Sequence, residues 1–194
     1  MIDVGIAGAG LLAAAPGLAL IAAAIKLDSP GSVIFAQERI GRDGRVFKLL
    51  KFRTMREAPI RYNEDGSTRI DPNDDRVTRV GKYLRGALDE LPQLVNVVRG
   101  DMSLVGPRPE MASQRHMYQP GDERKLVVRP GITSLAIVHG RNSIPWAQRI
   151  AIDIQYVERW SLGLDARILA QTLLLPFGLS PFRFDDVLDP KLRE

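Results

Sequence analysis

Between Ile2 and Ile25 almost every residue is apolar or small, broken by Asp3 near the start and Pro16 near the middle. As a straight helix this run would be about 36 Å long, enough to cross a bilayer. Three arrangements suit such a run. A cleaved signal peptide requires a positively charged start, and this chain carries Asp3 there instead. A spanning helix would use Lys26 as its cytoplasmic anchor. A re-entrant helix would bend at Pro16 and return to the face it entered. Proline removes a backbone hydrogen bond and clashes with the preceding turn, so a kink is expected between Leu12 and Pro16. The carbonyls freed there need partners, which a hairpin buried against protein or the interface provides. The expectation is a membrane-embedded helix over residues 1–27, bent at Pro16 and re-entrant; sequence physics alone leaves the spanning form open.

The remainder, residues 28–194, is long enough for one domain with a real core. An apolar content of 45% with mixed charge argues for a folded chain. There are no cysteines and two histidines, His116 and His139, so disulfides, thiolate sites and His-rich zinc centres are excluded. A catalytic metal should therefore be a hard, oxygen-bound ion such as magnesium. The net charge of +4 is modest, but no Lys or Arg precedes Lys26 and the chain after it is densely charged. A basic surface beside an apolar segment suits anionic lipid headgroups or phosphorylated substrates. No nucleic-acid-binding motif is present, so nucleic acid is not expected as a partner.

Ser32–Gln37 and Val46–Arg53 read as two strands of a hairpin around the turn Gly41–Gly44. Residues 57–76 are polar and rich in Asp, Asn, Gly and Pro, and read as a loop. Val77, Val80, Leu84 and Leu88 recur at helical steps. Pro92 suits the first turn of a new helix, with Leu94, Val95 and Val98 as its inner stripe and Gly100 as its end. Glu110–Tyr118 is expected to be helical and Pro130–Val138 a strand. Trp146–Trp160 and Leu164–Leu175 read as amphipathic helices, the second broken by Pro176. Its apolar surface, together with Trp146 and Trp160, suits either the membrane interface or the core. The fold class is α+β: a mostly helical cytoplasmic domain with a small hairpin, behind the membrane helix.

Chemistry concentrates around Asp89-Glu90. Adjacent acids repel, and a divalent cation bound beside them relieves that repulsion. The orphan N–H groups of the helix opened by Pro92 also favour anions nearby. On helix chemistry alone, first-turn acids are ordinary. Arg108 sits in Pro107-Arg108-Pro109, where flanking prolines limit backbone freedom and suit a preorganised phosphate clamp. Arg141 follows Gly140, which allows close backbone approach to a ligand.

Three blocks carry a resemblance: SVIFAQERIGRDGRVFKLLKFRTM (Ser32–Met55), ALDELPQLVNVVRGDMSLVGPRPE (Ala87–Glu110) and VRPGITSLAIVHGRN (Val128–Asn142). In this order, behind an apolar helix, the chain resembles the bacterial sugar transferase family, the monotopic polyprenyl-phosphate phosphoglycosyl transferases. The likeness runs from the apolar helix to about Leu174. It implies transfer of a sugar 1-phosphate from a UDP-sugar to polyprenyl (undecaprenyl) phosphate through an aspartyl-phosphosugar, with release of UMP. By resemblance Asp89 is the nucleophile and a magnesium ligand, and Glu90 its partner. Arg108, within the motif bounded by Pro107 and Pro109, and Arg141 would both face the nucleotide diphosphate. Lys51, Arg85 and Asp165 match further motif positions. The implied setting is the bacterial inner membrane, with membrane lipids around the chain and the catalytic domain on the cytoplasmic face; a homo-oligomer is left open. The rivals are a catalytically inactive scaffold of the same fold and a peripheral binder of nucleic acid or anionic lipid.

Three departures stand out. The family's arginine lies five residues before the dyad aspartate, whereas Arg85 lies four before Asp89; on one continuous helix that is a rotation of about 100°. The family's Ser-Pro at the bend is Ala15-Pro16 here, which removes a hydroxyl that could serve a freed carbonyl. The usual Thr-Gly-Leu-Ala-Gln-Val-Asn run is Thr133–His139 here, with Ser134, Ile137 and His139 replacing its glycine, glutamine and asparagine. Substrate choice is where this chain is expected to differ.

Overall fold

The computed structural model describes residues 2–56, 74–86, 88–140, 144–184 and 186–189. Most of the loop expected over 57–76 lies outside them. The chain mixes helices and small sheets behind an apolar N-terminal helix, α1 (Ile2–Asp28). Two compact units are present and are described separately: residues 1–38 with 48–100, and residues 39–47 with 101–194.

The first unit is built on α1, which is long and apolar enough to cross a membrane and contains Pro16 within its length. Few of its side chains are buried, Ala7 and Ile25 among them. Ile25 joins Phe52 and Leu84 in a small core, closed by Leu18, Ile21, Ala22, Val33 and Val80. Burying apolar surface there is worth about 25 cal/mol per Å² removed from water. Strands β1 (Ile34–Ile40) and β2 (Val46–Phe52) pair as a two-stranded sheet. The expected hairpin is present, with β1 beginning and ending later than its apolar run suggested.

Arg53, directly after β2, is buried and closes the end of α1. Its guanidinium donates to the carbonyls of Ser29 (2.7 Å) and Pro30 (2.7 Å), to Ser29 Oγ (3.0 Å) and to the Ile25 carbonyl (3.4 Å). A helix end leaves its last carbonyls without intrahelical donors, and an arginine there also opposes the negative end of the helix dipole. Asp28 in turn accepts the Val80 N–H at the start of α2 (Arg79–Leu84).

The helical periodicity from Val77 to Leu88 overstates α2. The helix starts at the cap Thr78, whose Oγ accepts the Gly81 N–H, and it stops at Arg85, which is extended. Gly86 then takes a left-handed φ of +97°, a conformation that costs glycine little. Leu88 therefore falls in a separate 3-10 turn, Leu88–Glu90. The next helix, α3 (Gln93–Arg99), begins after Pro92 and ends at Gly100 with φ +85°, as its punctuation predicts. Gly10 of α1 lies against Leu94 of α3.

The second unit contains a parallel pair, β3 (Ser103–Val105) and β4 (Gly131–Thr133), with Ser103 opposite Gly131 and Val105 opposite Thr133. The strand expected over Pro130–Val138 stops at Thr133. Ser134 Oγ accepts the Ile137 N–H and opens a helix, α4 (Leu135–His139). The serine that replaces the family's glycine is thus a helix N-cap. Glu110–Tyr118 forms a 3-10 helix over Ala112–Met117 rather than an α-helix. Helices α5 (Trp146–Glu158) and α6 (Leu162–Leu174) match their apolar stripes. Trp146, Ile150 and Ile154 of α5 pack with Met117 and Tyr118.

Replacing Arg53 by Met removes its guanidinium bonds to Ile25, Ser29 and Pro30, and leaves the Ser29 and Pro30 carbonyls without that donor. The expected loss is on the order of 3 kcal/mol, read as a lower thermal midpoint of the full chain in detergent micelles. An unchanged midpoint would show that the terminus finds other donors.

Candidate functional site

Asp89 and Glu90 lie in the 3-10 turn between Gly86 and Pro92, both half-buried. Asp89 Oδ1 accepts the Gly86 N–H at 3.1 Å. That bond comes from the left-handed turn before the dyad, not from the start of α3. Lys51 Nζ, on β2, donates to Glu90 Oε1 at 2.6 Å. Lys51 and Glu90 are about a quarter exposed, at 22% and 27%, so the pair is partly screened and worth on the order of 1 kcal/mol or less in stability. Burial pushes the Asp89 carboxyl above its ordinary value; Lys51 opposes that shift and Glu90 adds to it. The site thus contains a partly dehydrated carboxylate beside a lysine.

What places Lys51 there is Asn96, a buried residue of α3. Its Nδ2 donates to the Lys48 carbonyl at 2.9 Å, and its Oδ1 accepts the Leu50 N–H at 3.0 Å. The amide pairs with the backbone of β2 as a strand would, fixing the strand against the helix that follows the dyad. Asn96 was not among the expected site residues. The expected inner stripe of Leu94, Val95 and Val98 turned the reading away from it; the buried residues are Gln93, Asn96 and Val97, and Val98 is exposed.

Arg85 is the exposed residue that ends α2. Arg141 lies outside the described residues. Among the described residues, no cluster of three or more His, Asp or Glu side chains is spaced to hold a metal. The adjacent carboxylates Asp89 and Glu90 still suit magnesium, which takes one or two protein carboxylates and fills its shell with water and substrate phosphate.

In the second unit the segment Gly106–Glu110 is held along its backbone. Gly106 N–H donates to Thr133, and the Pro107 carbonyl accepts the Gly131 N–H. The Arg108 N–H donates to Asp153 Oδ2 at 3.1 Å. The Pro109 carbonyl accepts from Arg39 Nη1, and the Glu110 carbonyl from the Ile40 N–H. Beneath lies a buried charge cluster: Lys125 Nζ is 2.7 Å from Asp153 Oδ2 and 3.6 Å from Glu110 Oε1. Burial alone would depress Lys125, but Asp153 and Glu110 hold it above the ordinary lysine value. Burial alone would raise Glu110; Lys125, then Arg108, Arg149 and Arg39, bring it below its ordinary value. Asp165 accepts from Tyr156 Oη (2.7 Å) and from Trp160 Nε1 (3.0 Å), joining α6 to the end of α5.

The bacterial sugar transferase family matches residues 1–178. Exopolysaccharide production protein ExoY of Rhizobium meliloti (strain 1021) is 44% identical over 184 residues, covering 88% of this chain and 81% of that protein. The UDP-glucose:undecaprenyl-phosphate glucose-1-phosphate transferase of Caulobacter vibrioides is 46% identical over 181 residues, covering 87% and 66%. The Escherichia coli (strain K12) protein of the same name is 39% identical over 184 residues, covering 90% and 39%. The chain belongs to the bacterial sugar transferase family. It is therefore a transferase, and the geometry around Asp89 has to be read as that of an enzyme.

The buried cluster gives stability a two-sided pH dependence. A lowered Glu110 contributes stability that is present above the ordinary carboxylate value and lost as pH falls through its folded value, below about pH 4. A raised Lys125 contributes stability that is intact below the lysine value of about 10.4 and lost as pH rises through its folded value. Tyr118, raised by burial, adds to the alkaline loss. Asp153, raised by burial, acts against Glu110 on the acid side, so the alkaline limb is the clear readout: the thermal midpoint of the full chain should fall as pH rises there, and Lys125→Met should shrink that fall. An identical alkaline limb in that variant would show that the Lys125 charge is not coupled to folding.

Proposed function

We propose that this chain transfers a sugar 1-phosphate from a UDP-sugar to polyprenyl (undecaprenyl) phosphate, forming polyprenyl diphosphosugar and UMP in the first step of a surface glycan. The observation that carries the reading is the half-buried Asp89 beside the Lys51–Glu90 pair, in a chain of this family. The names of the Caulobacter and Escherichia relatives supply the substrate class.

In the first step an oxygen of Asp89 attacks the sugar-bearing phosphorus. The bond from that phosphorus to the bridging oxygen breaks, and UMP leaves with the electron pair. An oxygen of polyprenyl phosphate then attacks the same phosphorus, and the bond to Asp89 breaks to restore the carboxylate. Partial burial makes Asp89 more basic than a hydrated carboxylate, which suits nucleophilic attack. Lys51 lowers the proton affinity of Asp89 and so favours the attacking form. Asp89 and Glu90 would hold magnesium, which when bound neutralises charge on the diphosphate. Arg108 and Arg141 are assigned the nucleotide diphosphate, Arg108 within the backbone grip of Pro107 and Pro109. Arg85 and Asp165 are assigned supporting roles, Asp165 through its bonds to Tyr156 and Trp160.

Residues 1–27 are read as the membrane part, bent at Pro16 and returning to the cytoplasmic face of the inner membrane, with residues 28–194 catalytic. Polyprenyl phosphate would then reach the site from the membrane surface. The chain has no native cysteine, so one introduced by Gly5→Cys reports the topology; no atom lies close to the Gly5 Cβ position. An impermeant thiol reagent should label it only from the cytoplasmic side. Labelling from the periplasm would establish a spanning helix.

The central test is UMP release from a panel of UDP-sugars with magnesium and undecaprenyl phosphate. Asp89→Asn should abolish turnover and labelling of the protein by phosphosugar, and Lys51→Met should reduce turnover by about tenfold or more. Chelation by EDTA should stop the reaction reversibly. Turnover in Asp89→Asn would refute the covalent route, and silence across the panel in the wild type would favour an inactive scaffold.

A further inference from the structure

The least expected group in the second unit is a carboxylate in the middle of a packed helix. Asp153 is fully buried on α5, between the buried Ile152 and Ile154, and its partner Lys125 is 1% exposed. With Glu110 the cluster holds two acids against one lysine. Removing such charges from water is costly, and packed apolar residues of similar volume are often as stable or more so. Stability alone therefore does not account for a charged pair at this position. The reason lies in a third bond.

Asp153 Oδ2 also accepts the backbone N–H of Arg108. Pro107 and Pro109 carry no N–H, so this is the one backbone donor the triplet possesses. The neighbouring carbonyls are already taken by Gly131, Arg39 and Ile40. These contacts hold the carbonyls on either side, the Pro107 carbonyl of the same peptide group included, and leave the Arg108 N–H to Asp153. A carboxylate supplies one as a charge-assisted bond, stronger than a neutral acceptor would give. Burial pushes the Asp153 carboxyl above its ordinary value; Lys125, 2.7 Å away, opposes that shift and holds the carboxyl in place.

We infer that Asp153, held by Lys125, is a positioning residue that fixes the Arg108 backbone so that its guanidinium meets the diphosphate of the substrate. This rests on the role proposed for Arg108 above. Preorganisation of this kind acts on turnover, because a clamp displaced by an ångström loses transition-state contacts even where ground-state binding survives.

The test is a double-mutant cycle on UMP release by the full chain, with kcat, KM and thermal midpoint measured for each variant. Asp153→Asn should lower kcat by about tenfold or more with KM nearly unchanged. In an Arg108→Ala background the same change should cost less than about twofold, because the group being positioned has gone. Should Asp153→Asn alone fail to fold, Lys125→Met with Asp153→Asn removes both charges and carries the same comparison, with and without Arg108→Ala. Equal losses in both backgrounds, or an unchanged kcat in the neutralised variant, would overturn the inference and leave the proposed function intact. Wild-type turnover in Arg108→Ala would instead overturn the role of Arg108, and this inference with it.

Discussion

The six residues from Lys48 to Arg53 tie the first unit together. Lys48 and Leu50 accept and donate to the Asn96 amide, Lys51 reaches Glu90, Phe52 enters the core, and Arg53 closes the end of α1. Alternation along a strand makes this division of labour possible, since successive side chains leave opposite faces while the backbone bonds in the plane. One edge of β2 thus connects the apolar helix to the dyad without any intervening loop. Shifting the strand by one residue would move Lys51 to the wrong face and bury nothing where Phe52 now packs. Asn96 resists that shift, because its amide matches the backbone at Lys48 and Leu50 in this register.

The two charged centres differ in what their burial does. Lys51 and Glu90 keep a quarter of their surface in contact with solvent, so their pairing adds little stability and leaves Glu90 able to change partners as charge arrives. Lys125 and Asp153 have almost no solvent contact and no such freedom. Breaking that pair from one side strands an ion in the interior, at a cost of about 3–5 kcal/mol. The first arrangement suits a group that must respond during a reaction, the second a group that must hold geometry still.

The elements legible in the sequence were those fixed by local physics. The long apolar run gave α1, the turn at Gly41–Gly44 gave the hairpin, Gly100 ended α3, and the stripes of α5 and α6 were helical as read. Asp89-Glu90 stood out through its motif, and the role given to the pair belongs to the proposed function. Tertiary decisions were harder. Apolar residues from Leu135 to Val138 fit a strand as well as a helix, and Ser134 capping Ile137 settles the choice for a helix. Asn96 and Asp153 were visible only as polar residues among apolar ones, and what each bonds to depends on chain segments 46 and 45 residues away.

The spacing of Arg85 and Asp89 shows how such a reading can be refined. A one-residue shift matters as a rotation only where a continuous helix joins the two positions. Here Arg85 is extended and Gly86 is left-handed, so the helix has ended before the dyad begins. The count of residues between them no longer sets the angle between their side chains. What it sets is the length of a turn whose Gly86 N–H is used to hold Asp89 Oδ1. Shortening the segment by one residue is then compatible with an intact dyad, because the constraint on Asp89 comes from the turn itself and not from the phase of α2. The same turn leaves the Arg85 side chain exposed, while its N–H donates to the Gly81 carbonyl at the end of α2.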